Sequence, residues 1–180
     1  MGKGNDFALE AVSVRLVRDA PILSKTKIQT SADVIHLVGE QLCDMDREMV
    51  CVINLKADNT PINCHFASMG ALDYSMAHPR ELLKTGILSN AGRMILAHNH
   101  VSGDLLPSET DVKLTDRMQQ LCELVGIPLL DHVIVGGDNS RYFSFHEKGL
   151  VKNPHREYQT DYRKLEWDNP AEVAERGRNR

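Results

Sequence analysis

RMILAHNHVSGDLLPSETD, residues 93–111, runs an apolar stretch into two histidines, a glycine turn and a helix start in quick succession. If residues 93–100 are extended, their side chains alternate faces, so His98 and His100 point the same way, about 6 to 7 Å apart along the backbone. Ser102-Gly103-Asp104 predicts a turn. Ser108, followed by Glu109, Thr110, Asp111 and an apolar-periodic run, predicts a helix with Ser108 as N-cap. The turn then carries Asp111, in the first helical turn, back toward the two imidazoles. Two histidines and one carboxylate leave a fourth tetrahedral position for water, the feature that separates catalytic zinc from closed structural zinc.

Each of these residues also has a plainer reading. A lone histidine is more often a hydrogen-bonded core residue than a ligand, but two at i and i+2 where a strand runs into a glycine loop sit where ligands favour binding. Ser-x-x-Asp at a helix start is a capping box that needs no chemistry. The two readings are compatible: a cap that fixes the helix also fixes Asp111, and the helix dipole keeps that carboxylate ionised, as a ligand must be. Asp131-His132 has no spaced partner and reads as a strand pair with a local bond rather than a second metal site. The letters HNH do not reproduce the scattered nuclease signature of that name, and the chain is too short for a barrel hydrolase that opens with HxH. A hydrolase also needs a base on a neighbouring strand, and Glu48, opening the apolar run EMVCVINL, is the best placed carboxylate.

Working outward, residues 8–19 alternate apolar and polar from Val12 onward and predict a first strand. Thr30 or Ser31 caps a helix in which Val34, Ile35, Val38 and Leu42 recur at helical spacing. Residues 48–55 predict a buried strand that Asp58-Asn59 turns toward a partner over 62–67, giving a hairpin. Pro79 opens a helix that ends near Gly92. Further elements follow: a core strand over 94–97, a helix over 109–125 stopped by Gly126, a strand over 129–135 and a short one over 142–145. Strands and helices mixed around one sheet make an α/β or α+β sandwich.

With 180 residues the chain can bury a core in one domain, over residues 1–151, followed by a charged, apolar-poor tail over 152–180. Hydrophobic residues make up 42% and charged residues 26%, which fits a soluble globular protein. A net charge of -4 argues against coating nucleic acid or an anionic membrane through the whole surface. No run reaches the length of a membrane span and the N-terminus lacks a signal-peptide core. Cys43, Cys51, Cys64 and Cys122 form no CxxC pair and, scattered in apolar segments, read as buried free thiols, which implies a reducing, cytoplasmic setting.

Glu48, His98, His100, Ser108 and Asp111 together resemble the JAMM or MPN+ metalloprotease motif: a glutamate upstream, then HxH, seven residues, serine, two residues, aspartate. More closely, REMVCVINLKADNTPI, MAHPRELLKTGILSNAGRMILAHNHVSGDLLPSETD and LVGIPLLDHVIVGG are similar to the JAB domain of RadC-like proteins, over roughly residues 8–151. The resemblance implies a three-layer, cytidine-deaminase-like α/β sandwich, with a mixed central sheet flanked by helices, and one zinc ion. The helix-hairpin-helix region that often precedes this domain is expected to be missing here. Where the family usually has proline after the second histidine this chain has Val101, which frees φ and restores a backbone donor without removing a ligand.

The same resemblance implies roles. His98, His100 and Asp111 would hold zinc, Glu48 would act as general base on a water, and Ser108 would stabilise the oxyanion of a cleaved peptide or isopeptide bond. A peptide or protein is the implied substrate. Leu105 and Leu106 in the site loop read as loop packing or as substrate contacts. The family's association with DNA repair and mobile elements implies an alternative: a DNA-associated accessory module, or a nuclease, whose binding would weaken steeply with salt. A deaminase would need the HxE and PCxxC signature, which the chain lacks. Nothing in the pattern specifies an oligomeric state.

Overall fold

A computed structural model describes residues 26–68 and 78–152, together with scattered positions between 13 and 24. Among the described residues five strands form one mixed sheet, in the order β2-β1-β3-β4-β5. They are β1 (Met49–Leu55), β2 (Pro61–Ser68), β3 (Arg93–Asn99), β4 (Leu129–Val135) and β5 (Tyr142–Ser144). Strand β1 pairs antiparallel with β2 and with β3, β3 runs parallel to β4, and β4 pairs antiparallel with β5. The parallel pair needs a crossover. Helix α4 (Glu109–Leu124) supplies it.

The sheet is covered on both faces. One face packs Val50, Val52, Met94, Leu96 and Leu129 against Leu82 and Leu83 of α3 (Pro79–Leu88) and Leu114, Met118 and Cys122 of α4. The other packs Cys51, Ile53, Leu55, Ile95, Ala97, Val133 and Val135 against Val34, Ile35, Val38 and Leu42. Burial on both sides explains why β1 and β3 read as unbroken apolar runs rather than alternating ones. Truncating a fully buried side chain such as Leu96 to alanine would cost about 2–5 kcal/mol. This is the three-layer α/β sandwich expected from the sequence.

Local chemistry sets the helix ends. Thr30 caps the first helix: its hydroxyl accepts from the Asp33 amide at 3.3 Å while the Asp33 carboxylate accepts from the Thr30 amide at 2.8 Å. Pro79 opens α3, with the His78 ring as cap, and a second box at Ser108 opens α4.

The first helix departs from the regular pattern. It comprises α1 (Ser31–Val34), a π-helical turn over Ile35–Gly39 and α2 (Glu40–Cys43). The widened turn lies against Asn139 in the β4–β5 turn, where a Cβ on Gly39 would fall 1.8 Å from the Asn139 Oδ1.

The strand expected over 8–19 lies largely outside the described residues. Its described positions, Ser13, Arg15, Leu16, Val17 and Asp19, are exposed and not in a strand. The expected tail lies outside them from residue 153. All four cysteines are free; Cys51 and Cys122 are buried as expected, whereas Cys43 and Cys64 are only partly buried. Among the described residues no helix is long and apolar enough to cross a membrane.

Candidate metal centre

The end of β3, the loop after it and the start of α4 converge on one point. On β3, Leu96 and His98 face α4, whereas Asn99 faces the opposite layer. His98 is fully buried, and His100 follows one residue beyond the strand. The chain turns sharply there: the Gly103 amide bonds to the His100 carbonyl at 2.9 Å, and Gly103 adopts φ +72°, a conformation a side chain would strain. The turn brings the Asp104 carbonyl within 2.8 Å of the His100 Nδ1. A carbonyl only accepts, so Nδ1 carries a proton and Nε2 is the nitrogen that faces the site.

Capping holds the carboxylate. The Ser108 hydroxyl donates to Asp111 Oδ2 at 2.6 Å, the Ser108 amide donates to the same oxygen at 2.7 Å, and the Asp111 amide donates to the Ser108 Oγ at 3.2 Å. Asp111 is 2% exposed, so these bonds offset the desolvation of its charge.

Three ligand atoms result. His98 Nε2 lies 3.0 Å from His100 Nε2 and 3.3 Å from Asp111 Oδ1, and His100 Nε2 lies 3.2 Å from Asp111 Oδ2. All lie within 4.8 Å of one another, a spacing that suits a shared metal ion. Burial would raise the Asp111 pKa, but the His100 and His98 rings and the Ser108 hydroxyl outweigh it and hold the carboxyl well below the usual range. The Asp111 carboxylate in turn raises the His100 pKa, despite partial burial of the ring. The donor set fits a cation: lone pairs and a full negative charge face one point, and only positive charge satisfies them together.

Glu48 lies exposed, immediately before β1, and its charge also acts to raise the His100 pKa. The antiparallel register that sets Val50 opposite His98 brings this segment to the site. Asn99, between the two histidines, fastens it from the other face. Its Oδ1 accepts from the Met49 amide at 2.9 Å and its Nδ2 donates to the Arg47 carbonyl at 3.0 Å, one bond on each side of Glu48. In the loop, Leu105 packs with Ile134, Phe145 and Val151, while Leu106 and Val101 are 74% and 63% exposed.

Behind the ligands lies a second set of residues whose roles the sequence did not reveal. His98 Nδ1 sits 2.8 Å from His132 Nε2, and His132 Nδ1 sits 2.6 Å from the Thr115 Oγ1. His132 is fully buried and stacked on Phe145, with ring centroids 5.0 Å apart; burial pushes its pKa well below the ordinary value. It belongs to β4. The local bond expected for this pair is made by Asp131, whose Oδ1 accepts from the His132 amide at 2.7 Å. Asp131 also reaches the Ser31 and Ser144 hydroxyls and the His146 amide, and so ties the first helix to β4 and β5. Strand parity was the available signal for His132, since in parallel strands it lies opposite Leu96, two residues before His98.

Comparison with known proteins agrees with this arrangement. The family model of the RadC-like JAB domain matches residues 28–150, which include all five motif residues. A UPF0758 protein of Desulforamulus reducens is 40% identical over 131 residues, covering 73% of this chain and 57% of that protein. One from Desulfitobacterium hafniense is 38% identical over 137 residues, covering 76% and 59%. One from Clostridium acetobutylicum is 40% identical over 125 residues, covering 69% and 54%. The chain thus spans somewhat over half the length of these relatives. With its three-layer fold and its converging histidines and aspartate, the chain belongs to the RadC-like JAB domain family.

Proposed function

We propose that this protein is a zinc-dependent hydrolase of amide bonds, acting as a peptidase or isopeptidase. The observation that carries the reading is the convergence of His98 Nε2, His100 Nε2 and the Asp111 carboxylate at the end of β3. Nitrogen and oxygen donors in a three-residue set suit zinc with one position left for water. When bound, zinc supplies a Lewis acid that lowers the pKa of a coordinated water to about 7.

The chain's own residues supply the rest. His98, His100 and Asp111 would hold the ion. The Glu48 carboxylate, exposed immediately before β1, would take a proton from the attacking water and return it to the leaving nitrogen. The Ser108 hydroxyl steadies the oxygen of the cleaved carbonyl, an interaction worth about 3 kcal/mol where one donor does this elsewhere. To do so it must turn its proton away from Asp111, to which it donates at 2.6 Å. Substrate then exchanges one acceptor for another. Exposed Val101 and Leu106 give the loop beside the site an apolar surface for a peptide side chain.

The experiment measures zinc content and cleavage in parallel. Wild type, His98→Ala and Glu48→Gln are incubated with peptides, ubiquitin-like conjugates and nucleic acids. Wild type should carry about one zinc per chain and cleave an amide substrate. Glu48→Gln should keep the zinc and lose the cleavage, and His98→Ala should lose both. Unchanged zinc in His98→Ala would sink the metal assignment. Equal cleavage by Glu48→Gln would remove Glu48 as base, and cutting of nucleic acid alone would replace the amide substrate.

A further inference from the structure

We infer that Thr115 and His132 are positioning residues that fix the tautomer of His98, so that its Nε2 presents a lone pair to the site before any ion arrives. The inference rests on the metal reading above and extends it to two side chains that stand behind the ligands and do not face the ion themselves.

The argument is one of donors and acceptors. The Thr115 hydroxyl has one proton and lies 2.6 Å from the Asp111 carbonyl, one helical turn back. The carbonyl can only accept, so that proton belongs to it. The Thr115 oxygen, 2.6 Å from His132 Nδ1, must then accept from an N–H on that nitrogen. A fully buried ring with no carboxylate at either nitrogen carries a single proton. His132 Nε2 is therefore bare and accepts from His98 Nδ1–H, 2.8 Å away. With its proton on Nδ1, His98 leaves Nε2 free, 3.3 Å from Asp111 Oδ1.

The relay begins at the Asp111 backbone and ends at an atom facing the Asp111 side chain. One residue thus supplies a ligand and orients another. Reversing any link would place two bare acceptors, or two N–H groups, within 3 Å at a buried contact, and each unsatisfied group would cost about 1–3 kcal/mol. Threonine in a helix often back-bonds to the preceding turn. Here that habit sets a polarity that two imidazoles transmit to the site. The His100 ring is oriented separately, its Nδ1–H donating to the Asp104 carbonyl, and without an ion a proton on its Nε2 bridges the 3.0 Å to the bare His98 Nε2.

The test is ring-nitrogen NMR on the full chain stripped of metal with chelator, at alkaline pH, followed by zinc titration against a competing chelator. Wild type should show the proton on Nδ1 of both His98 and His132. Thr115→Val should disturb the His132 and His98 signals and weaken zinc binding by about 10–100-fold, and Thr115→Ser, which keeps the hydroxyl, should restore both. A wild-type His98 protonated on Nε2 overturns the inference, even if Thr115→Val fails to fold. So does Thr115→Val with wild-type ring signals and affinity. Wild type with the expected tautomers but no uptake of zinc upholds the relay and overturns the metal reading.

Discussion

The Nε2 atoms of His98 and His100 lie 3.0 Å apart, facing each other beside the carboxylate of Asp111. That carboxylate raises the His100 pKa, so a proton and a metal ion compete for the same atom. Below the raised value each pH unit should weaken apparent zinc affinity about tenfold per proton displaced. In the metal-free protein the sign is opposite: a raised pKa adds stability in acid that is lost as pH rises through the folded value. Calorimetric zinc titrations from about pH 8 to about pH 5 would decide it, and a flat affinity would show that His100 is not a ligand.

Asn99 should govern the segment that carries Glu48. Asn99→Ala removes the bonds to the Met49 amide and the Arg47 carbonyl, a loss of about 1 kcal/mol each. Hydrogen exchange at Met49 should accelerate while zinc content stays at the wild-type level. Amide cleavage should fall, as for Glu48→Gln. Unchanged exchange at Met49 would show that β1 pairing alone holds the segment.

Asp131 is a structural anchor. Its carboxylate accepts from Ser31 at 2.8 Å, Ser144 at 2.7 Å, the His132 amide at 2.7 Å and the His146 amide at 2.9 Å. Asp131→Ala leaves those buried donors without their acceptor and should cost about 3 kcal/mol or more in urea unfolding. Zinc affinity should fall too, because the His132 backbone loses its tether. A loss under about 1 kcal/mol would mean that water replaces the carboxylate.

Gly39 departs from a common rule. Glycine to alanine inside a helix usually gains about 1 kcal/mol. Here the new Cβ would fall 1.8 Å from Asn139 Oδ1, so the Asn139 side chain must swing aside and Gly39→Ala should forfeit that gain. Asn139 sits at φ +56°, which suits glycine, and its Oδ1 is buried without a hydrogen bond. Asn139→Gly should therefore cost little alone and rescue Gly39→Ala in the double variant. Thermal melts of the four proteins complete the cycle.

Much of the fold was legible because local rules and global packing agree. The boxes at Thr30–Asp33 and Ser108–Asp111 announce helix starts, and the doubly buried β1 and β3 announce themselves as apolar runs. His98, His100 and Asp111 share one short segment, so spacing alone brought them together. What stayed hidden depends on register. Asn99 reaches Met49 only because β3 pairs antiparallel with β1, and His132 reaches His98 only because β4 runs parallel beside β3. The π-helical turn left no mark in the periodicity, since one widened turn shifts an apolar stripe too little to read. Glu48 was legible first as a carboxylate opening the apolar run of β1, and the resemblance to the JAMM motif then gave it a role.

All three proposed ligands come from residues 98–111, within a single strand-to-helix corner. Closing so short a loop costs little chain entropy, so the unfolded chain retains some grip on the ion. Binding to the unfolded state subtracts from the stabilisation that binding to the folded state provides. A site assembled from distant strands would couple ion and fold tightly. In this corner the ion would instead act early, gathering the end of β3 and the start of α4 before the parallel β3–β4 pair has formed.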